Sequence, residues 1–387
     1  MIRSEIFNSV TLEEMRHVKG IKWGLHGPDV IPMWLADPDF PVAIEIKRAL
    51  IEAVQDEDLF YASDLPVREA MAEKVRERNR IEAKAEDIMI TQGVLPAMWL
   101  AVEYACQPGD EVVVTDPMYY PFFMAVERCG AKSLYWKLEE EEGYRFDVDA
   151  LNELVTERTK LIFLCNPHNP CGRVLTEEEL RGIGEIAVDH NLTIMSDELW
   201  EDIVFDGRRH ISIASLSPEI EERTMTSLGF SKTYGVAGLQ IGYLVATNKE
   251  MMKELRMIAR CVLRGTSTLS RAAAPVMLSD RLKWWREGIV KHLTMIRDLV
   301  EKRFKEMPGV TCPKLEGTYL MFPNLSSYGK TSDEMTDYLL KEGKIAVSSG
   351  SHFGSNGEGH VRMCIATSES IINEALDRME RALAKLR

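Results

Sequence analysis

Ser227-Leu228-Gly229-Phe230-Ser231-Lys232-Thr233-Tyr234-Gly235-Val236-Ala237-Gly238-Leu239 is the stretch on which the reading of this chain turns. The apolar, β-prone run Thr224 to Phe230 leads into it. A second strand-like run, Ile241 to Thr247, follows the glycines. Lys232 is thereby expected just past a strand end, in a loop held by small residues. A lysine there reaches a cleft, and a desolvated amine is a nucleophile toward carbonyls. A lone loop lysine is more often a solvated surface residue, so the weight rests on its company.

Outward from this stretch, strands are predicted at Ile88–Thr91, Glu111–Thr115, Ser133–Trp136, Leu161–Cys165, Thr193–Ser196, Met225–Phe230 and Gly242–Thr247. Most are short apolar runs without alternation, separated by helical patterns. Buried strands linked by helices imply a mostly parallel sheet covered on both faces. Ligands of such sheets bind at the carboxyl ends of the strands. Gly93, Tyr119, Asn169, Asp197 and Lys232 all fall at or just beyond such ends.

The company of Lys232 is an ordered set: Asn166-Pro167-His168-Asn169-Pro170-Cys171-Gly172, then Ser196-Asp197-Glu198-Leu199-Trp200, then Lys232, then Arg362. Each piece alone is weak, and the order is specific. The set resembles the fold-type-I pyridoxal-phosphate (PLP) enzymes, the aspartate aminotransferase superfamily, over nearly the whole chain. The resemblance implies an α/β fold with a mostly parallel seven-stranded sheet of the PLP-dependent transferase type. A smaller α+β domain is built from the N-terminal segment and the C-terminal region. The expected division is 1–45, arm and part of the small domain; 46–280, large PLP-binding domain; and 281–387, small domain.

It also implies roles. Lys232 carries PLP as a Schiff base and then serves as base at the substrate α-carbon. Asp197 holds the pyridinium nitrogen protonated; a strand-end Asp otherwise caps a helix. Asn169 bonds the cofactor's phenolic oxygen, or merely its own backbone. Tyr119 stacks on the ring, or is simply core. The backbone N–H groups of Val94 and Leu95, at a helix start after Gly93, bind phosphate, with Ser231 as a further contact. Ala36 lies beside the substrate. Arg362 takes its carboxylate through a planar fork, the alternative being a surface ion pair. Tyr61 reaches across a homodimer interface to the other subunit's phosphate. The chain departs from the family pattern at Trp200, where a tyrosine is usual, at Gly229 for a serine, and at Gln240 for a phosphate-binding arginine.

Two activities share these residues: an aminotransferase passing the amino group of an L-amino acid to a 2-oxo acid, and a carbon–sulfur β-lyase. Met33-Trp34-Leu35-Ala36-Asp37 and Pro167-His168-Asn169-Pro170 look like the cystathionine β-lyase and cystalysin branch. Asp197-Glu198-Leu199 with an aromatic at 200, and Gln240-Ile241-Gly242-Tyr243, look like the aminotransferases, toward which the reading leans. A non-catalytic regulator of this fold is the remaining class, and no basic or helix-turn-helix extension supports it.

Composition agrees. The 387 residues are 45% hydrophobic and 28% charged, with net charge −14 and no long basic run. That argues against nucleic-acid or membrane-surface partners, which need clustered Lys and Arg. No apolar stretch is long enough to span a bilayer, and Met1 to Val10 does not read as a secretory signal. The seven cysteines (Cys106, Cys129, Cys165, Cys171, Cys261, Cys312, Cys364) form no CxxC pair. Neither a disulfide framework nor a metal site is indicated, and a cytoplasmic enzyme with reduced thiols is expected. Helices are expected over Ala43–Val54, Val67–Arg78, Leu282–Glu306, Ser332–Glu342 and Glu369–Leu386, the last with an apolar stripe.

Overall fold

The computed structural model describes residues 3–57, 59–260, 263 and 265–387; Cys261 lies outside them. Seven strands form the central sheet: β1 (Ile88–Thr91), β2 (Glu111–Asp116), β3 (Lys132–Lys137), β4 (Thr159–Cys165), β5 (Thr193–Asp197), β6 (Thr224–Gly229) and β7 (Gly242–Val245). Their order is β1-β7-β6-β5-β4-β2-β3. Only β7 runs antiparallel to its neighbours. The parallel strands therefore end along one edge of the sheet.

Burial on both faces explains the unalternating apolar runs. Val112, Val114, Leu161, Phe163 and Met195 point into one core cluster, and the intervening Val113, Ile162, Leu164 and Ile194 into another. Successive side chains leave a strand on opposite faces, so both sets are removed from water. Burying each such side chain contributes about 1.5–3 kcal/mol. Helices Leu95–Ala105, Pro121–Arg128 and Glu177–Asp189 supply much of the cover.

The C-terminal region carries a three-stranded antiparallel sheet of Ser348–Ser349, Val361–Cys364 and Leu320–Met321. It also holds the long helix Lys283–Glu306 and the final helix Glu369–Ala384. The stripe Ile371, Ile372, Ala375, Leu376, Met379 and Leu383 of that final helix is buried. The N-terminal segment joins this region: Ile31–Pro32 pairs in parallel with Ile345–Ala346. Cys364 donates its N–H to Met33 O at 2.7 Å, and Asp39 to Ala366 O at 2.9 Å.

Two local expectations are corrected. Lys232 stands in a single helical turn, Ser231–Tyr234, rather than a loop. Tyr234 N bonds Phe230 O at 3.1 Å, and Gly235 at φ 65° ends the turn in the left-handed region. The helix expected from Val67 begins at Leu65, with Pro66 in its first turn, where a missing N–H costs nothing. It stops at Lys74 and unwinds through a wide turn, Val75–Asn79, closed by Arg80 at φ 58°.

Candidate active site

Five main-chain junctions at the carboxyl edge of the sheet present the functional groups. After β1, Gly93 turns the chain at φ 86°, and helix Leu95–Ala105 begins. Its first bond runs from Ala97 N to Val94 O (3.1 Å), which leaves the N–H groups of Val94 and Leu95 at the positive end of the helix. Gly242 of β7 lies directly against this turn: a Cβ there would come within 2.9 Å of the Gly93 carbonyl carbon. After β2 comes Tyr119, half-buried; burial pushes its phenol up to about 12. After β4 the loop is fixed by Asn166, which accepts from Leu175 N at 3.1 Å, and it presents Asn169. β5 ends on Asp197, and β6 leads to Ser231 and Lys232.

Asp197 is buried, and among the described residues its carboxylate accepts only the N–H of Leu199, at 3.1 Å. No helix follows, so it is not a helix cap. Burial raises its pKa to about 7, against the pull of the Leu199 N–H and the charge of Lys232. No cation sits within ion-pair distance among the described residues. Lys232 Nζ donates to Ala36 O at 2.7 Å and lies 5.6 Å from the centre of the Trp200 ring. Burial lowers its pKa, and nearby Arg362 adds to that, against Asp37 and Asp197. An amine with a depressed pKa is the usable form of a base or nucleophile.

Arg362 comes from the small sheet. One Nη donates to Asn169 Oδ1 (3.2 Å), and the other to Trp34 O (3.0 Å) and Ser348 Oγ (3.4 Å). Its guanidinium carbon lies 4.8 Å from the centre of Phe353, and its buried Nε has no partner. No carboxylate pairs with it among the described residues. A buried guanidinium without an anion is costly and stands ready for one.

These features fit PLP. A buried carboxylate without a cation matches a pyridinium nitrogen, an amine with a lowered pKa matches an aldehyde, and free N–H groups at a helix start match a phosphate. Trp200, in place of the usual tyrosine, is buried edge-to-face against Tyr319 (4.6 Å, 77°). The Tyr319 hydroxyl reaches Ala36 O at 3.4 Å. A Cβ at Gly229 would lie 2.8 Å from the Leu199 Cδ1 methyl. Gln240 is exposed at φ 48°.

The fold thus gathers Ala36, Val94, Leu95, Tyr119, Asn169, Asp197, Ser231, Lys232 and Arg362 around one edge. It leaves Tyr61 out: that side chain is fully exposed, lining a separate surface hollow with Phe60, Arg260 and Arg271. Sequence reasoning gave no role to Tyr319, Ser348 or Phe353. It also missed a buried network behind Asp197. There Glu198 accepts from Ser196 (2.9 Å), His210 (2.9 Å) and Ser212, and Glu201 accepts from Lys74 and Asn79. Lys74 and these donors already satisfy both carboxylates.

Comparison with known proteins agrees with this geometry. The family model for aminotransferase class I and II matches residues 28–379. An aspartate aminotransferase of Pyrococcus abyssi is 35% identical over 99% of this chain and 98% of its own length. A cystathionine beta-lyase of Bacillus subtilis is 30% identical over 96% and 98%. The crystal structure of cystalysin from Treponema denticola, which contains pyridoxal 5'-phosphate, superposes with a TM-score of 0.91 at 27% identity, covering 96% of this chain and 97% of that one. Among the described residues no helix is long and apolar enough to cross a membrane. With its parallel sheet, its strand-end lysine and carboxylate, and a family match along most of its length, the chain belongs to the aminotransferase class I and II family, enzymes whose cofactor is pyridoxal 5'-phosphate.

Proposed function

We propose that this enzyme transfers the amino group of an L-amino acid to a 2-oxo acid. The observation that carries the reading is the convergence at one sheet edge of three groups with no counter-ion among the described residues: the half-buried Lys232 amine and the buried Asp197 carboxylate and Arg362 guanidinium. When bound, PLP supplies an aldehyde for the amino group and a ring that accepts the electron pair released at the α-carbon. Arg362 binds the substrate carboxylate and orients the α-hydrogen toward Lys232. Lys232 Nζ takes that proton and later returns one, so it shuttles rather than consumes it. Asp197 would hold its negative charge at the ring nitrogen and keep that nitrogen protonated. Asn169 donates to the phenolic oxygen through its amide N–H while its Oδ1 stays on Arg362. Tyr119 covers the ring face, and Val94, Leu95 and Ser231 hold the phosphate.

The exposed Tyr61, with Phe60 exposed beside it, supports a homodimer in which Tyr61 serves the neighbouring site. The pairing of Ile31–Pro32 with Ile345–Ala346 supports a small domain built from residues 1–45 and 281–387, set against a large domain of 46–280. The scattered free cysteines support a cytoplasmic enzyme. The lyase and cystalysin similarities favour a second reading, carbon–sulfur β-elimination, which uses the same proton removal by Lys232. One screen decides between them. Glutamate formed from 2-oxoglutarate and an L-amino acid establishes transamination. Pyruvate released from cystathionine without any 2-oxo acid, and no glutamate, would replace it with the lyase.

A further inference from the structure

Lys232 must occupy two places during turnover: at the substrate α-carbon, and away from it once the proton is taken. Nζ donates to Ala36 O at 2.7 Å and faces the Trp200 ring at 5.6 Å. Tyr319, fully buried, directs its hydroxyl to the same oxygen at 3.4 Å and fixes the Trp200 ring edge-to-face. The Ala36–Asp37 segment is itself anchored, because Lys22 Nζ donates to Asp37 O at 2.6 Å. We propose that Trp200, Tyr319 and the Ala36 carbonyl form a seat that holds Lys232 as a cation after it has accepted the α-proton. This rests on the reading of Lys232 as the base.

The chemistry of the seat suits a shuttle. A carboxylate in contact with the ammonium would hold its proton too firmly to return it. A carbonyl dipole and a π face attract the cation without a full opposing charge. Burial already lowers the amine's pKa, so a weak seat is enough to balance it. Tyr319 tempers the seat further, since two donors on one carbonyl oxygen weaken each other. The titratable groups acting on Lys232 from other elements are Asp37, Arg362, Cys364 and Asp197; none is altered in the variants below. The tryptophan that departs from the family pattern at position 200 thereby acquires a role as a positioning residue.

The test titrates the full-length chain, freed of cofactor, with PLP across pH, and follows covalent capture by Lys232 through reduction and mass spectrometry. Trp200→Leu removes the π face, and the pH midpoint of capture is expected to fall by about 0.5–1 unit. Tyr319→Phe frees the carbonyl for the lysine, and the midpoint is expected to rise. Trp200→Phe keeps an aromatic face and is expected to stay near wild type, separating the π contact from loss of packing. In the holoenzyme, Trp200→Leu is expected to lower kcat more than it changes KM. Unchanged midpoints in both Trp200→Leu and Tyr319→Phe, with Lys232→Ala unable to capture PLP, would overturn the seat alone. Covalent capture by Lys232→Ala would overturn the assignment of the base, and the seat with it.

Discussion

Asp197→Asn separates the needs of the fold from those of the cofactor. In the cofactor-free chain, burial raises the Asp197 pKa from 3.8 to about 7. The folded chain therefore keeps a proton that the unfolded chain has already released. This group's favourable contribution is fully present below its unfolded pKa, and it is lost as pH rises through about 7. A shift of about three units at about 1.4 kcal/mol each amounts to about 4 kcal/mol. An amide of the same shape does not titrate, and its oxygen still accepts the Leu199 N–H. Without PLP, Asp197→Asn is thus expected to gain stability relative to wild type, by up to about 4 kcal/mol between about pH 4 and about pH 8. With PLP the order reverses, because the ring nitrogen gives the wild-type carboxylate its missing charge partner. The variant is expected to bind PLP more weakly and to remove the α-proton more slowly. Urea unfolding across this pH range, with and without saturating PLP, measures both effects. Taking the difference between variant and wild type cancels other titrating groups such as Asp202, which burial also raises. A pH-independent difference in the cofactor-free chains, with equal PLP affinities, would refute the reasoning.

Lys232→Ala is expected to abolish covalently held PLP and nearly all turnover, read by absorption and by reduction of the bound cofactor; a variant that still held PLP covalently would remove Lys232 from the reaction. Arg362→Lys keeps the charge but not the fork. It is expected to cost about 1.5–3 kcal/mol, or roughly ten- to hundredfold in kcat/KM, with PLP loading unchanged; steady-state kinetics equal to wild type would reject its role, and lost PLP would mark it as structural. Gly242→Ala drives a methyl group against the Gly93 backbone (2.9 Å) and Leu228 O (2.9 Å), and neither is the tip of a flexible side chain. It is expected to destabilise the chain by about 1–3 kcal/mol and to weaken PLP affinity by shifting the Val94–Leu95 turn; an unchanged urea midpoint would show that the turn yields freely.

What was legible in the sequence, and what was not, follows from how far each feature reaches along the chain. The inner strands could be read locally because burial on both faces leaves a continuous apolar signature, as in Val112-Val113-Val114 and Leu161-Ile162-Phe163-Leu164, whereas the edge strand Lys132–Lys137 is largely exposed. Asn169, Asp197 and Lys232 could be placed because a strand end is a local event. The helical turn at Lys232 was missed because four residues carry too little periodicity, and Gly235 beyond them sets its end. The surroundings of Arg362 were illegible for a different reason. Trp34 meets it only because Met33 to Asp39 runs beside Val361–Cys364, Ser348 because its strand pairs with that one, and Asn169 because the loop after β4 reaches the small sheet. Residues more than 300 positions apart come together there through pairing of backbone amides, which leaves no side-chain pattern in either segment. Ala36 and Tyr319, 283 positions apart, meet at one carbonyl oxygen by the same means. In the proposed mechanism the strand ends hold the cofactor, and this seam grips the substrate and seats the lysine. A substitution in the seam is therefore expected to act on KM and on proton transfer, whereas one at a strand end acts first on PLP.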